Sequence, residues 1–325
     1  MLFRSVFTLA TAFAPDYRSF VLVQILTRVF GYAEEMLCLV VIAEEVAAGA
    51  RGWAGGTITS FYFLGAGVAS ALFGAVSLLP HGWRALYFLG AISILMVGFL
   101  RQRLPETQRF QSRGETGPKL QAALGLLRDL VREYPGRICA AITAASAFGF
   151  AMSCAIFLAQ KYLQEAYHYS PAQVILLLIP GGLVGLALSI AAGRLSDRLG
   201  RKPMAMGMAV LAGMSFFFFF NHAPAWFVPV LWITGFLGFF SGDALIAGFA
   251  LEIVPTRYRA TVGALRYVIE IAMGAVALAL EGRLYDRFQD HGPAIQWMLA
   301  AIPVTLVAIL LLPEPAGKTL EEISA

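Results

Sequence analysis

Residues Gly193 to Pro203 read GRLSDRLGRKP, and the fold class turns on how this stretch is placed. Small and aliphatic residues precede it, and MAMGMAVLAGMSFFFFF follows it. A short charged turn between two such runs is expected to join two membrane spans. Arg194, Arg198, Arg201 and Lys202 assign the turn to the cytoplasmic side, where basic loops are retained. Gly193 and Gly200 allow the helix ends to approach, and Asp197 is the one anion among the cations.

Composition agrees: 59% of the 325 residues are hydrophobic, 14% are charged and the mean hydropathy is +0.73. A soluble domain could not hide that much apolar surface. The net charge of +4 is modest. The basic residues cluster between apolar runs, which points to membrane orientation and away from nucleic acid. Met1 leads directly into an apolar run, without the basic region and cleavage site of a signal peptide. Cys38, Cys139 and Cys154 fall within apolar runs without paired spacing and read as small buried hydrophobes. His81, His168, His222 and His291 fall in outer loops and read as interfacial residues. No nucleophile and base set, metal-ligand spacing or phosphate-cradling loop is present, so no enzyme, metal or cofactor is expected.

A span needs ~20 mostly apolar residues. That template predicts a short first helix over 2–14 and nine spans over 20–43, 57–79, 84–101, 138–160, 172–192, 204–221, 225–250, 260–281 and 294–312. Between the fourth and fifth, Leu120, Leu124, Leu127, Leu130 and Val131 form one helical stripe, expected to lie on the inner membrane surface. With the charged turn inside, alternation places Arg51, the basic series from Arg103 to Arg137, Arg257, Arg259 and Lys318 on the same side. Arg18, Arg84, Lys161, Arg283 and Arg287 fall on the other side, an asymmetry that fits the positive-inside rule.

The chain also repeats itself. Glu44 and Glu252, Arg51 and Arg259, Gly55 and Gly263, and the LPE triplets starting at Leu104 and Leu312 are each 208 residues apart. Four pairs in register mean two copies of one unit. Under this offset the first copy lacks the counterpart of Arg137 to Met208, two helices and their charged turn. The expectation is an N-terminally incomplete chain, with about 70 or more further residues upstream holding two spans of ~20 residues each.

GRLSDRLGRKP resembles the loop signature of the major facilitator superfamily of secondary transporters, which joins the second and third helices of each six-helix half. The resemblance implies an all-α membrane protein of the major facilitator fold, with ten of twelve transmembrane helices present. The expected units are the remnant of an N-terminal bundle over 1–101, a cytoplasmic linker over 102–136, a C-terminal six-helix bundle over 137–313 and a cytoplasmic tail over 314–325. It further implies a multi-pass protein of the cytoplasmic (inner) membrane, monomeric, whose partners are a small-molecule substrate, protons and the bilayer.

Two groups of candidate residues follow. Glu44 with Arg51, and Glu252 with Arg259, resemble the family's cytoplasmic charge-relay pairs, which clamp the inner gate together with Gly193, Asp197, Arg198, Gly200, Arg201 and Lys202. Asp197 is expected against the N-terminal end of the helix starting near Ala260, where a helix dipole favours an anion. Deep in the spans lie Arg28, Glu34, Glu35, Asp243, Arg266 and Glu270, and ionisable residues there are functional candidates. Glu35 and Asp243 are again 208 residues apart. Asp243 reads as an ion-pair partner of Arg266 or as a proton-coupling group. Arg266, four residues from Glu270 on one helix face, reads as neutralised by it or as the ligand of a substrate carboxylate. Arg28 sits in RVFG, similar to the family's fourth-helix arginine pattern, with the glycine one residue earlier than in drug antiporters. The tail PEPAGKTLEEIS resembles that of sugar porters and of organic-acid:proton symporters. The paired glutamines and Pro-Trp of sugar porters are absent from Ile138 to Gln160 and Phe227 to Phe249, which favours organic acids. The expected function is proton-coupled transport of a small anionic metabolite by alternating access. The alternatives are a sugar porter, or a transporter-like receptor or inactive fragment.

Overall fold

The structure is a computed structural model that describes residues 2–74, 76, 79–101 and 120–315. Among these there are helices, turns and no strand. In chain order the helices are α1 (Leu2–Ala12), α2 (Tyr17–Glu45), α3 (Arg51–Gly74), α4 (Trp83–Arg101), α5 (Leu120–Glu133), α6 (Pro135–Glu165), α7 (Pro171–Leu199), α8 (Arg201–Phe219), α9 (Val228–Glu252), α10 (Arg259–Phe288), α11 (His291–Leu299) and α12 (Ile302–Leu310). The LPE triplet at Leu104, the basic series from Arg103 to Lys119 and the tail with Lys318 lie outside the described residues.

α2, α6, α7 and α10 exceed their apolar runs at both ends because charged ends continue these helices into the interfacial region, whereas α1 and α3 end early, at Ala12 and Gly74. Among the described residues, six segments are long and apolar enough to cross a membrane: α6, α7, α8, α9, Thr256–Phe288 and the consecutive α11 and α12. α2 and α3, with 29 and 24 residues, reach about 44 and 36 Å at 1.5 Å per residue. Arg28, Glu34, Glu35 and Glu44 in α2, and the small and polar residues of α3, make these two less apolar. The last span is two pieces: α11 ends at Leu299 and α12 starts at Ile302, beside Pro303, whose ring cannot continue a helix interior.

The charged stretch is helix almost throughout. Gly193–Leu199 forms the last two turns of α7, Arg201–Pro203 begins α8, and Gly200 alone makes the corner with φ +109°. Only glycine adopts that angle without strain. The 208-residue offset carries into the backbone: α3 and α10 start at Arg51 and Arg259, short 3₁₀ turns precede them at Ala48–Ala50 and Thr256–Tyr258, and α4 and α11 start at Trp83 and His291.

α6 to α12 enclose the main core, in which Phe148, Met152, Phe216, Phe219 and Trp232 are buried together. α1 to α4 pack beside it through α3 against α7 and through α2 against α9 and α10. The α3–α7 crossing is close because a Cβ on Gly193 would stand 2.1 Å from the Gly52 carbonyl, and one on Gly56 2.3 Å from that of Ser189. α5 uses its stripe differently from the expectation: Leu130 is fully buried and Leu126 and Leu127 pack on the α6–α12 core, while Val131 is exposed. A protein surface was available to that face, so it did not have to rest on lipid. Cys154 is buried, but Cys38 and Cys139 are exposed. An apolar residue on a spanning helix is satisfied by lipid and does not have to be inside the protein.

Candidate functional site

At the end of the molecule that carries the signature, the polar groups of both halves interlock. The Asp197 carboxylate accepts the backbone N–H groups of Gly52 and Trp53, both at 2.8 Å, and Arg201 Nη1 at 2.7 Å. It therefore caps the N-terminus of α3, which starts at Arg51, and not the helix starting near Ala260. The two starts are repeat equivalents, and the signature of one half meets the equivalent helix of the other. Arg201, buried, also donates to Ser196 Oγ (2.8 Å) and lies 3.3 Å from Glu252 through Nε. Glu314 accepts the Arg201 and Lys202 N–H groups at 2.7 and 2.9 Å, an anion on the N-terminus of α8. Lys202 Nζ donates to the Leu310 carbonyl. Arg194 and Arg198 are exposed, so Arg198 stands outside the interlocked set.

The charge-relay residues also meet across the repeat. Glu44 faces Arg259 of the other half at 3.8 Å, and Glu252 pairs with Arg201 while Arg51 acts on it through its charge. Arg51 and Arg259 each donate Nε to a carbonyl near the end of the preceding helix, Val46 and Leu251, where cations suit the dipole. The packing sets the loop of one copy against the helix of its counterpart. Above this clamp lies a cavity of about 40 Å³ lined by Thr59, Ser189, Ser241 and Ala244 among others.

Further along α9 and α10, four of the six deep ionisable residues converge. Arg266 is buried and binds Asp243 through Nη2, with Glu270 Oε2 3.0 Å away. Glu35, on α2, lies within electrostatic reach of Asp243 and Arg266 and accepts a 2.8 Å hydrogen bond from Tyr62 of α3. The Arg266 guanidinium stacks 4.8 Å from the Tyr267 ring, and its Nε and Nη1 are buried without a hydrogen-bond partner. Gly149 of α6 makes room for Glu270, since a Cβ there would stand 2.5 Å from Glu270 Cγ. Two of the six residues are placed elsewhere. Glu34 is buried against α1, bonded at 2.9 Å to Arg4. Arg28 is exposed, with its charge felt by Tyr87. Tyr62 was not singled out in the sequence, although it sits 208 residues before Glu270.

The opposite end is open. A cavity of about 990 Å³ lies between α2, α3 and α4 on one side and α6 and α7 on the other, walled by Tyr17, Trp83, Arg84, Tyr87, Gln160 and Gln164. Arg84 donates to the Ala14 carbonyl and stacks over Trp83. The histidines divide. His81, His168 and His222 are exposed turn residues with positive φ. His291 opens α11 and is buried against Glu281, which corrects its reading as an interfacial loop residue. Asp290 caps α11, so the chain is helical from His291 onward.

Interlocked charges thus join the helices at one end, a buried ion cluster lies further along α9 and α10, and a cavity opens at the other end. The model of the Major Facilitator Superfamily matches residues 1–278. The chain belongs to the major facilitator superfamily. It is 27% identical over 282 residues to the glycine betaine/proline/ectoine/pipecolic acid transporter OusA of Dickeya dadantii, covering 82% of this chain and 55% of that one. It is 24% identical over 341 residues to a probable 4-methylmuconolactone transporter of Cupriavidus pinatubonensis, covering 98% and 74%. The chain thus spans about half the length of the first of these curated relatives. Among solved structures, the proton:xylose symporter XylE bound to 6-bromo-6-deoxy-D-glucose superposes with a TM-score of 0.77 at 19% identity, covering 99% of this chain and 80% of that one. This likeness is one of fold. Members of the superfamily are transporters and not enzymes, and are multi-pass membrane proteins.

Proposed function

We propose that this chain is the moving core of a secondary transporter for a small carboxylate-bearing metabolite, coupled to protons, and that the structure is its state closed at the cytoplasmic end. The observation that carries the reading is Arg266, whose Nε and Nη1 are buried and unpartnered beside the side already given to Asp243 and Glu270. Each of these N–H groups is a charged donor that a carboxylate oxygen can accept from, and a buried donor left empty is costly. Proline, pipecolic acid and glycine betaine, in the first relative's name, each carry a carboxylate. Around Arg266 stand Asp243, Glu270 and Glu35, more negative than positive charge for a desolvated site. A substrate carboxylate adds to that excess, so protons entering with it would balance the site.

The test is uptake against counter-flow in proteoliposomes, over about pH 5–8. Asp243→Asn is expected to abolish gradient-driven accumulation while substrate exchange stays measurable. Glu35→Gln is expected to act the same way more weakly, because Ile58 stands where its half would need the counterpart of Arg266. If Asp243→Asn accumulates substrate like the parent with the same pH dependence, Asp243 is a structural ion-pair member. Binding without counter-flow would instead mark the protein as a receptor.

A further inference from the structure

At the end away from the signature, α10 carries a glutamate in an apolar run, ALALEG, and α11 begins with a histidine. Folding buries both: Glu281 and His291 are each 5% exposed, and Glu281 Oε1 lies 2.5 Å from His291 Nδ1. The Tyr285 ring stacks on the imidazole at 4.2 Å. A buried carboxylate needs a partner that stays hydrogen-bonded to it, which requires the ring proton on Nδ1. That leaves Nε2 as the acceptor, and Nε2 is buried without a hydrogen-bond partner. Facing it, 3.7 Å away, is Glu165 Oε2 on the last turn of α6, with a half-exposed side chain. This is too far for a hydrogen bond but within ion-pair reach.

The other groups around the ring are few. From α6, Lys161 lies 3.7 Å from Glu165 and over the Tyr285 ring, while Cys154 feels the charge of Glu281. Tyr162, also on α6, stacks near His222 of the α8–α9 turn, which faces Asp290 at 3.6 Å. None of these supplies an acceptor that replaces Glu165 at Nε2 or a donor that replaces His291 at Glu281.

We propose that Glu281 and His291 form a second proton-binding site, separate from the Arg266 cluster, in which a proton taken up on Nε2 recruits Glu165 and fixes the end of α6 against α11. The ligand is a proton from the adjacent aqueous phase. It binds the Nε2 lone pair, and the resulting imidazolium donates from Nδ1 to Glu281 and from Nε2 to Glu165. Imidazole is the side chain suited to this exchange near neutral pH. The consequence reaches the cavity mouth, because Gln160 and Gln164 on the same turns of α6 wall the cavity of about 990 Å³. Acid outside would therefore hold α6 in one position, and loss of the proton would release it.

The test does not depend on transport and so separates this site from the function proposed above. Protein labelled with ¹⁵N in its histidine rings is titrated from about pH 8 to 5. Variants H81Q, H168Q and H222Q, all at exposed turns, assign three of the four signals, leaving His291. The expected result is a neutral ring protonated on Nδ1 at the alkaline end and a doubly protonated ring at the acid end. E165Q, at a half-exposed position, should lower the midpoint by about half a unit or more, a threefold or larger loss of proton affinity. A His291 ring that keeps one protonation state across the range overturns the proposal. So does a midpoint unmoved by E165Q.

Discussion

Replacing Asp197 by Asn removes one charge from the clamp and almost no volume. The carboxylate now serves two backbone N–H groups of α3 and one guanidinium nitrogen, all at 2.7–2.8 Å. An amide offers one acceptor oxygen and turns its NH₂ toward a donor, so at least one of those three partners loses its acceptor. Hydrogen bonds to charged groups contribute ~1.5–3 kcal/mol each, and breaking a buried pair by removing one partner costs ~3–5 kcal/mol. The side chain of Asp197 is 8% and that of Arg201 3% exposed, so solvent screens little, and the lower figure of about 3 kcal/mol is the working value. Under the proposed function the cost falls on the state closed at this end, because α3 and α7 belong to different copies of the repeat and would separate when the end opens. About 3 kcal/mol corresponds to a little over two decades in population. The assay is labelling of Ala244→Cys, a lining residue of the small cavity above the clamp, by an impermeant maleimide from the cytoplasmic side, in a background with Cys38, Cys139 and Cys154 replaced. Asp197→Asn should raise the labelling rate by roughly a hundredfold with insertion unchanged. A rate within about twofold of the parent would refute the clamp as an energetic element of closure.

Gly193→Ala should destabilise the closed packing by ~1–3 kcal/mol, since its Cβ would meet the Gly52 backbone and not a movable side chain. Gly207→Ala is the matched control, because its Cβ meets nothing within 4 Å. It should be neutral or stabilising by up to ~1 kcal/mol, and thermal unfolding in detergent compares the two. Glu133, which ties α5 to the α9–α10 turn, is held below the usual carboxylate range by the Tyr258 hydroxyl and then by Arg257, against an opposing burial effect. With a depressed folded value, its contribution is present above the unfolded value of about 4.3 and is lost as pH falls through the folded one. The α5 amides should therefore lose protection, relative to their intrinsic exchange rate at each pH, on acidification below about pH 4 in the parent. In Glu133→Gln that protection should be low already at neutral pH, and identical protection in the two proteins would exclude the tether.

Much of the fold was legible because a membrane span is a one-dimensional signal, and each predicted run overlaps a helix, although the ends differ by several residues in either direction. The repeat was legible for the same reason and carried further than expected, down to the starts of α3 and α10. Contacts between the halves were less accessible. An offset of 208 residues says which groups are equivalent but not which half each one meets. Glu44 and Arg51 therefore read as a pair, and the contact of Glu44 with Arg259 of the other copy was not legible. Tyr62 was within reach, because it occupies the register of Glu270. The Glu281–His291 pair was not, since a turn separates the two residues and their spacing follows no helical period. A glutamate inside an apolar run was its only trace.

Under the proposed function, the contacts across the repeat link the two ends of the transport path in one motion. On α9, Glu252 and Asp243 are nine residues apart, and on α10, Arg259 and Arg266 are seven apart, so clamp and ion cluster are about 10–14 Å apart along the same two helices. Their partners, Glu44 and Glu35, lie nine residues apart on α2. Moving α9 and α10 as a body relative to α2 therefore disturbs the Glu44–Arg259 contact and the Glu35 environment together. Small interface shifts become discrete changes when packed helices are bistable. Under the proposed function, a change of charge at Asp243 or Glu35 alters how well α9 and α10 sit against α2, and the clamp at their other end opens or closes by the same displacement. Coupling then needs no wire of intermediate residues, only two rigid helices with charge partners of the opposite half at two depths.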